Sequence, residues 1–446
     1  LPMRRGLYVR DFATQESRDE FVRLCAAAVD VFELPITPGN TEASITEPGP
    51  NRSRQYAKLG VFLCSHCHVL LALWDGKPSD QLGGTAQVVR FHHDDIMPGY
   101  TPRSVSSRLV LTDDESDLVY HIVCSRSRPG CEPVPGLRPL ECWWYTRDER
   151  SPRTRELPER YRLIFERTNA FNLDMRRHVA AIAAGGYPLL DAAREAEMPS
   201  GLKDIDEIFT AADWLAIHYQ RLTVWTIRAS HVFVFLIGVT YVSYTDVVAD
   251  RLLLFVLLAQ MLVAGALGYV ATRGEWHRKY LDYRTLAEGL RVQFYWAAAG
   301  VRSGNASKFS HDNFLQMQDP DLGWIRNVMR VTGTECDVEA DESRAGLDLA
   351  LRDWIGDDRQ GQLGYFRRKT AERLAKAHAT ERLSNFGLWA SAATLALLLF
   401  VSSDVLESFR ANLVFAVGCV LLMVGVRQSY AKATGESEII KQYEFM

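Results

Sequence analysis

The chain has no excess of charge of either sign, no evenly spaced cysteines and no hydrophobic leader that reads as a secretory signal. Its 51 Lys and Arg against 55 Asp and Glu leave a formal net charge of −4. No strongly basic surface therefore points to nucleic acid as a direct partner. The eight cysteines (Cys25, Cys64, Cys67, Cys124, Cys131, Cys142, Cys336 and Cys419) lack the spacing of a disulfide framework and are expected to be reduced thiols. Paired metal ligands are missing too. Cys64-Ser-His66-Cys67-His68 has no second pair at a standard distance to close a tetrahedral site, so no metal is expected. The two cysteines are expected to be buried there and the histidines exposed. His92-His93-Asp94-Asp95 is likewise expected to form an exposed polar corner.

What the chain does have is segregated. A mean hydropathy of −0.11 hides a concentration of apolar residues in the second half. In the first half, the run Val69 to Trp74 ends at Asp75-Gly76, a loop follows, and Gly83-Gly84-Thr85 opens a predicted helix over Thr85–Phe91. A buried strand, a glycine turn and a helix N-terminus in that order are how doubly wound α/β domains hold anionic ligands, with close backbone approach and N–H groups facing the anion. Gly83, Gly84 and Thr85 are the candidate phosphate contacts, with Gly76 in the turn and Lys77 in reach of a phosphate. Asp75 either shapes the turn through its own backbone or accepts a hydrogen bond from a ribose hydroxyl.

Around this motif, helical spacing marks Glu16–Leu34 and Arg54–Cys67, separated by a polar loop, and Val119–Cys124 reads as a further strand. Leu1 to Asp11 reads as a middle strand with its exit loop. A doubly wound domain ordinarily opens with a βαβ unit carrying its first phosphate turn, so that unit is expected to be missing from this chain. Trp143-Trp144-Tyr145 either stacks a base or seals a domain edge. The expected organisation is an α/β domain over residues 1–150 and a partly helical connector over 151–204. A first transmembrane hairpin with helical extensions (205–303), a helical segment (304–385) and a second hairpin with the C-terminal tail (386–446) complete it.

The four apolar cores lie near His231–Tyr244, Leu252–Ala271, Phe386–Val401 and Leu413–Val426. Each suits the ~20 residues that cross ~30 Å of hydrocarbon. The loops 245–250 and 402–410 are short, so the spans pair as two hairpins. Arginine and lysine crowd the opposite flanks (Arg221, Arg228, Arg273, Arg278, Arg382, Arg427), which places both termini and the α/β domain in the cytoplasm. Helices are expected to run straight out of the membrane on that side. In Tyr280–Val301 an apolar stripe (Tyr283, Ala287, Leu290, Phe294) is expected to pack on the Leu347–Leu374 segment or on a neighbouring subunit. Within the spans Gln260 is the notable polar residue, a candidate for interhelical bonding or for lining a pore.

Tyr8, Arg10-Asp11-Phe12, Leu73-Trp74-Asp75-Gly76-Lys77-Pro78 and Gly83-Gly84-Thr85-Ala86 together resemble the SLOG domains, Rossmann-like nucleotide-sensing domains of bacterial conflict systems. The stretch Tyr283-Arg284-Thr-Leu-Ala287-Glu288-Gly-Leu290-Arg291, just after a membrane hairpin, is similar to SLATT-type transmembrane effector modules, although those carry one hairpin and this chain two. Phosphoribohydrolase relatives of the SLOG domains place a catalytic glutamate three residues after the glycine-threonine turn. Val88 stands there, so no catalytic residue is expected. The resemblance implies a multi-pass protein of the bacterial inner membrane, acting as a homo-oligomer in antiviral defence. Its ligand would be a nucleotide second messenger, a cyclic oligonucleotide or an ADP-ribose derivative, made upstream by a synthase. The alternative is a membrane-anchored enzyme that degrades NAD or a nucleotide.

Overall fold

The computed structural model describes residues 1–94, 96–101, 118–125, 130, 132–147, 152–190, 198–301, 322–334, 336, 344–357, 361–400 and 404–435. Residues 1–11 form no strand. Arg4, Arg5 and Gly6 interrupt the alternation a strand needs, and one helical turn (Arg5–Tyr8) and a 3-10 turn (Val9–Asp11) take its place. Buried Arg52 holds these turns, donating to the Leu7 carbonyl at 3.2 Å and pairing with Asp11 at 2.7 Å. Helix α1 (Gln15–Ala27) starts at Thr14, whose hydroxyl accepts from the Ser17 N–H at 3.2 Å. It stops well before Leu34, because the returning chain bonds to the N-terminal residues instead, Leu34 N–H to the Leu1 carbonyl at 3.1 Å.

Helix α2 (Pro50–His66) opens with proline in its first turn and feeds β1 (Leu70–Trp74). Then come α3 (Thr85–Asp94), β2 (Val119–Val123), β3 (Cys142–Tyr145) and β4 (Arg153–Thr154). The sheet order is β1-β2-β3-β4. Strands β1 and β2 are parallel, with Leu70 opposite Val119, whereas β2–β3 and β3–β4 are antiparallel. The expected doubly wound parallel sheet is thus a small mixed sheet. Strand β3 returns antiparallel beside β2, with Leu140 N–H on the Val123 carbonyl at 2.8 Å. Helices α2 and α3 cover one face through Ala57, Val61, Cys64, Val89 and Phe91. On the other face Leu71 and Leu73 are each 64% exposed.

The longer remaining helices are α4 (Glu159–Gly185), α5 (Ser200–Asp246), α6 (Arg251–Arg273), α7 (Trp276–Ala298), α8 (Gly323–Thr332), α9 (Gly361–Phe400) and α10 (Asp404–Ala433), with a short helix (Arg344–Leu349) and a π-helical turn (Ala350–Ile355) before α9. By their contacts, residues 1–214 with 285–347 form one unit and residues 215–284 with 348–446 a second. In the first unit α7 meets α5 and α8 through residues beside its apolar stripe. Arg291 lies over Phe209 at 5.1 Å and pairs with Asp213 of α5 at 3.8 Å, and Gln293 Nε2 donates to the Met329 carbonyl of α8 at 2.9 Å. Tyr283, Leu286, Leu290 and Phe294 are buried, as is Trp324 of α8, which meets Phe171 of α4 at 5.6 Å.

The second unit holds the membrane-spanning parts. Four helices (Ser200–Asp246, the helical stretch beginning at Arg251, Gly361–Phe400 and Phe409–Ala433) are long and apolar enough to cross a bilayer. At most 6% of each apolar window is buried within the chain, as expected for surfaces that meet lipid or other copies. The turn into α6 is capped by Asp250, whose carboxylate accepts from Leu252 N–H at 2.9 Å. Inside this first hairpin Gln260 Nε2 donates to Thr240 Oγ1 at 3.2 Å, a bond between α5 and α6. The two hairpins touch where a Cβ at Gly238 of α5 would run into Leu422 of α10; within the second hairpin, one at Gly387 of α9 would lie 3.1 Å from Val424 of α10. The expected straight exit after the second span is interrupted. Glu275 takes a positive φ of 52°, separating α6 from α7, and Arg278 clasps Glu275 and Asp282, each at 2.6 Å.

Candidate functional site

The C-terminal end of β1 opens into a cleft of about 530 Å³, within the range of small-molecule sites. One wall is a single face of α3, carrying Ala86, Val89, Arg90, His93 and Asp94 at helical spacing. Trp74, Gly76 and Pro78–Asp80 form the floor and rim, and the end of β3 with β4 supplies Tyr145, Arg147 and Arg153. The β2–β3–β4 meander brings these last residues back over α3, since Tyr145 stands opposite both Val119 and Arg153.

The cleft sets Arg90, Arg147 and Arg153 beside Asp80, Asp94 and the rings of Trp74 and Tyr145. Arg147 faces Asp94 at 3.9 Å, a loose pair that leaves Arg90 and Arg153 as the cations best able to meet a ligand. Arg153 lies over the Tyr145 ring at 4.3 Å, and its buried Nε has no hydrogen-bond partner among the described residues. Tyr145 also meets the His93 ring edge-on at 4.7 Å. Beneath, buried His121 donates from Nε2 to the Trp74 carbonyl at 3.0 Å. Burial holds its pKa below the ordinary value and Arg153 adds to that, against the Trp74 hydrogen bond and Asp75.

Of the residues expected to bind ligand, only Gly76 lines the cleft. Gly76 turns the chain with φ +82°. The Asp75 carboxylate accepts from Lys77 N–H at 3.0 Å, the turn-shaping alternative, and Lys77 Nζ donates to the Gly130 carbonyl at 2.8 Å. Gly83 adopts φ +76°, and a Cβ there would lie 2.7–2.9 Å from Ser53, Tyr56 and Ala57 of α2, so its absence of side chain lets the loop seat on that helix. The Gly84 carbonyl accepts from Gln87 and Val88, closing the first turn of α3, and Thr85 is exposed beside it. Sequence reasoning missed Arg90, His93, Tyr145, Arg147 and Arg153 as a group. The α3 part was legible as one helical face, but the rest needs the strand pairing.

Other polar motifs are structural. His66 and His68 are half-buried rather than exposed, donating to the Arg330 and Asn327 carbonyls of α8, each at 2.8 Å. Cys64 is buried and Cys67 only partly so. His92 and His93 are buried rather than exposed, Asp94 is exposed as expected, and Asp95 lies outside the described residues. Trp144 packs edge-on against Tyr120 at 4.8 Å and Arg155 covers Trp143 at 3.9 Å, whereas Tyr145 faces the cleft. Among the described residues no three His, Cys, Asp or Glu side chains gather to hold a metal. Compared with protein-family models, with curated proteins and with solved structures, the chain matches none.

Proposed function

We propose that the chain is a ligand-gated membrane effector of bacterial anti-phage defence. A nucleotide second messenger, a cyclic oligonucleotide or an ADP-ribose derivative made by an upstream synthase, enters the cleft at the end of β1. Its phosphate meets Arg90 and Arg153, and its base or ribose lies against Tyr145 and Trp74. Binding favours an arrangement of the spans, in a homo-oligomer of the inner membrane with cytoplasmic termini, that lets ions leak. The observation that carries this reading is the cationic, aromatic-lined cleft on a chain that also has four membrane-length helices. The ligand gates only if it binds the open arrangement more tightly than the closed one.

Titration of the full-length protein in neutral detergent with cyclic di- and trinucleotides, ADP-ribose and NAD tests the site. One of them binds, and Arg90→Gln or Arg153→Gln weakens it on the order of tenfold to a hundredfold, the loss of a charged hydrogen bond. Normal affinity in both variants would rule this cleft out. A second reading, a membrane-anchored nucleotide-degrading enzyme, draws on Asp80 and Asp94 in the same cleft. Product release that stops in Asp80→Asn would favour it.

A further inference from the structure

Within the second unit, three helices converge on one tyrosine that the nucleotide reading does not use. Arg228 of α5 donates from Nε to Tyr430 Oη at 3.3 Å. Arg427, one turn before Tyr430 on α10, lies over its ring at 5.3 Å and donates from Nη2 to Thr380 Oγ1 of α9 at 2.8 Å. His231 packs edge-on against the same ring at 5.5 Å, its Nδ1 donating to the Ile227 carbonyl at 2.7 Å. Among the described residues no carboxylate forms a salt bridge with Arg228. Guanidiniums from two helices thus meet on one side chain, and the oxygens of a single phosphate can accept from both.

The height of the cluster identifies the anion. Arg228 immediately precedes the apolar core of the first span, Arg427 immediately follows that of the fourth, and Thr380 leads into the third. Arg273 and Arg382 end the other apolar cores at the corresponding position along the chain. That is the depth of lipid phosphates, where tyrosine is also favoured. Planar guanidinium forks suit phosphate oxygens, and basic pockets between spanning helices suit anionic headgroups. We infer that Arg228, Arg427 and Tyr430 bind the phosphate of an anionic phospholipid. The lipid clasps α5 of the first hairpin to α9 and α10 of the second. This inference rests on the membrane reading and is independent of the nucleotide site.

The test uses the full-length protein in nanodiscs of mixed phosphatidylglycerol and phosphatidylcholine, with mass spectrometry of the retained lipid. Phosphatidylglycerol is enriched around the unaltered protein. Arg228→Gln with Arg427→Gln reduces that enrichment, about fivefold for each arginine, whereas Arg251→Gln at the far end of the hairpin leaves it unchanged. Equal enrichment in the unaltered protein and the double variant would overturn the site. Should the double variant fail to fold, the Arg228→Lys, Arg427→Lys pair keeps the charge and loses the fork; it lowers the enrichment, and an undiminished enrichment overturns the assignment equally. Thermal stability separates the sources of phosphate. Phosphatidylglycerol vesicles raise it and inorganic phosphate does not, and a rise with inorganic phosphate alone would make this a soluble-anion site and refute the lipid assignment.

Discussion

Single residues show most plainly how the glycine turn works. Gly83 and Gly76 both sit at positive φ, but only Gly83 has backbone atoms of a neighbouring helix against it. Gly83→Ala therefore destabilises the first unit by about 2–4 kcal/mol, adding overpacking against backbone to strain, while Gly76→Ala costs about 1–2 kcal/mol, the strain and a 3.1 Å approach to the movable end of Leu137. Thermal denaturation of the two variants side by side checks the order. Protonation gives a second prediction. Burial keeps the pKa values of His68 and His121 below the ordinary 6.5, so the folded chain resists protons that the unfolded chain takes up. Stability is flat above about pH 7 and falls as pH drops below about 6.5; a melting temperature independent of pH down to about 5 would contradict this. The glycines and Asp75 were legible as a turn because turn chemistry is local. Which side chains face the ligand was not, because Arg147 and Arg153 reach the cleft only through pairing of β2, β3 and β4.

Elements were read well where periodicity or length is strong. The four spans, α2, β1 and β2 lie close to their expected places, since a long apolar run or a regular stripe is a signal that neighbours seldom override. The errors fall where another segment decides: Leu34 binding back to Leu1 shortens α1, and the positive φ at Glu275 divides what reads as one helix. At this scale the join between the hairpins is testable. A Cβ at Gly418 would lie 3.8 Å from Val242 Cγ1, so cysteines at these two positions, in a Cys419→Ser background, are joined by a short thiol-directed cross-linker. Gly238→Leu, which drives a large side chain into Leu422, abolishes that cross-link. In the first hairpin, Gln260 bonds Thr240 but its buried Oε1 lacks a partner among the described residues. Gln260→Leu thus changes stability by about 0.6 kcal/mol and by less than about 2 kcal/mol, and a larger loss measured by thermal unfolding in detergent would show that Oε1 is satisfied elsewhere, as across a subunit interface.

At the scale of the whole molecule, the chain joins a cationic cleft to a thin set of spans whose surfaces are scarcely buried by the chain itself. In the proposed reading further copies cover these surfaces in a symmetric assembly. The α5 helix contributes Phe209 and Asp213 to the first unit and Arg228 and Gly238 to the second, so the two units share one continuous element of chain. The most direct test is ion flux from liposomes containing the full-length protein, challenged in turn with cyclic di- and trinucleotides, ADP-ribose and NAD. The account predicts flux with one of them, lost in Arg90→Gln with Arg153→Gln although the variant still inserts in the membrane. No flux with any nucleotide, together with consumption of NAD, would contradict it and leave the membrane-anchored enzyme.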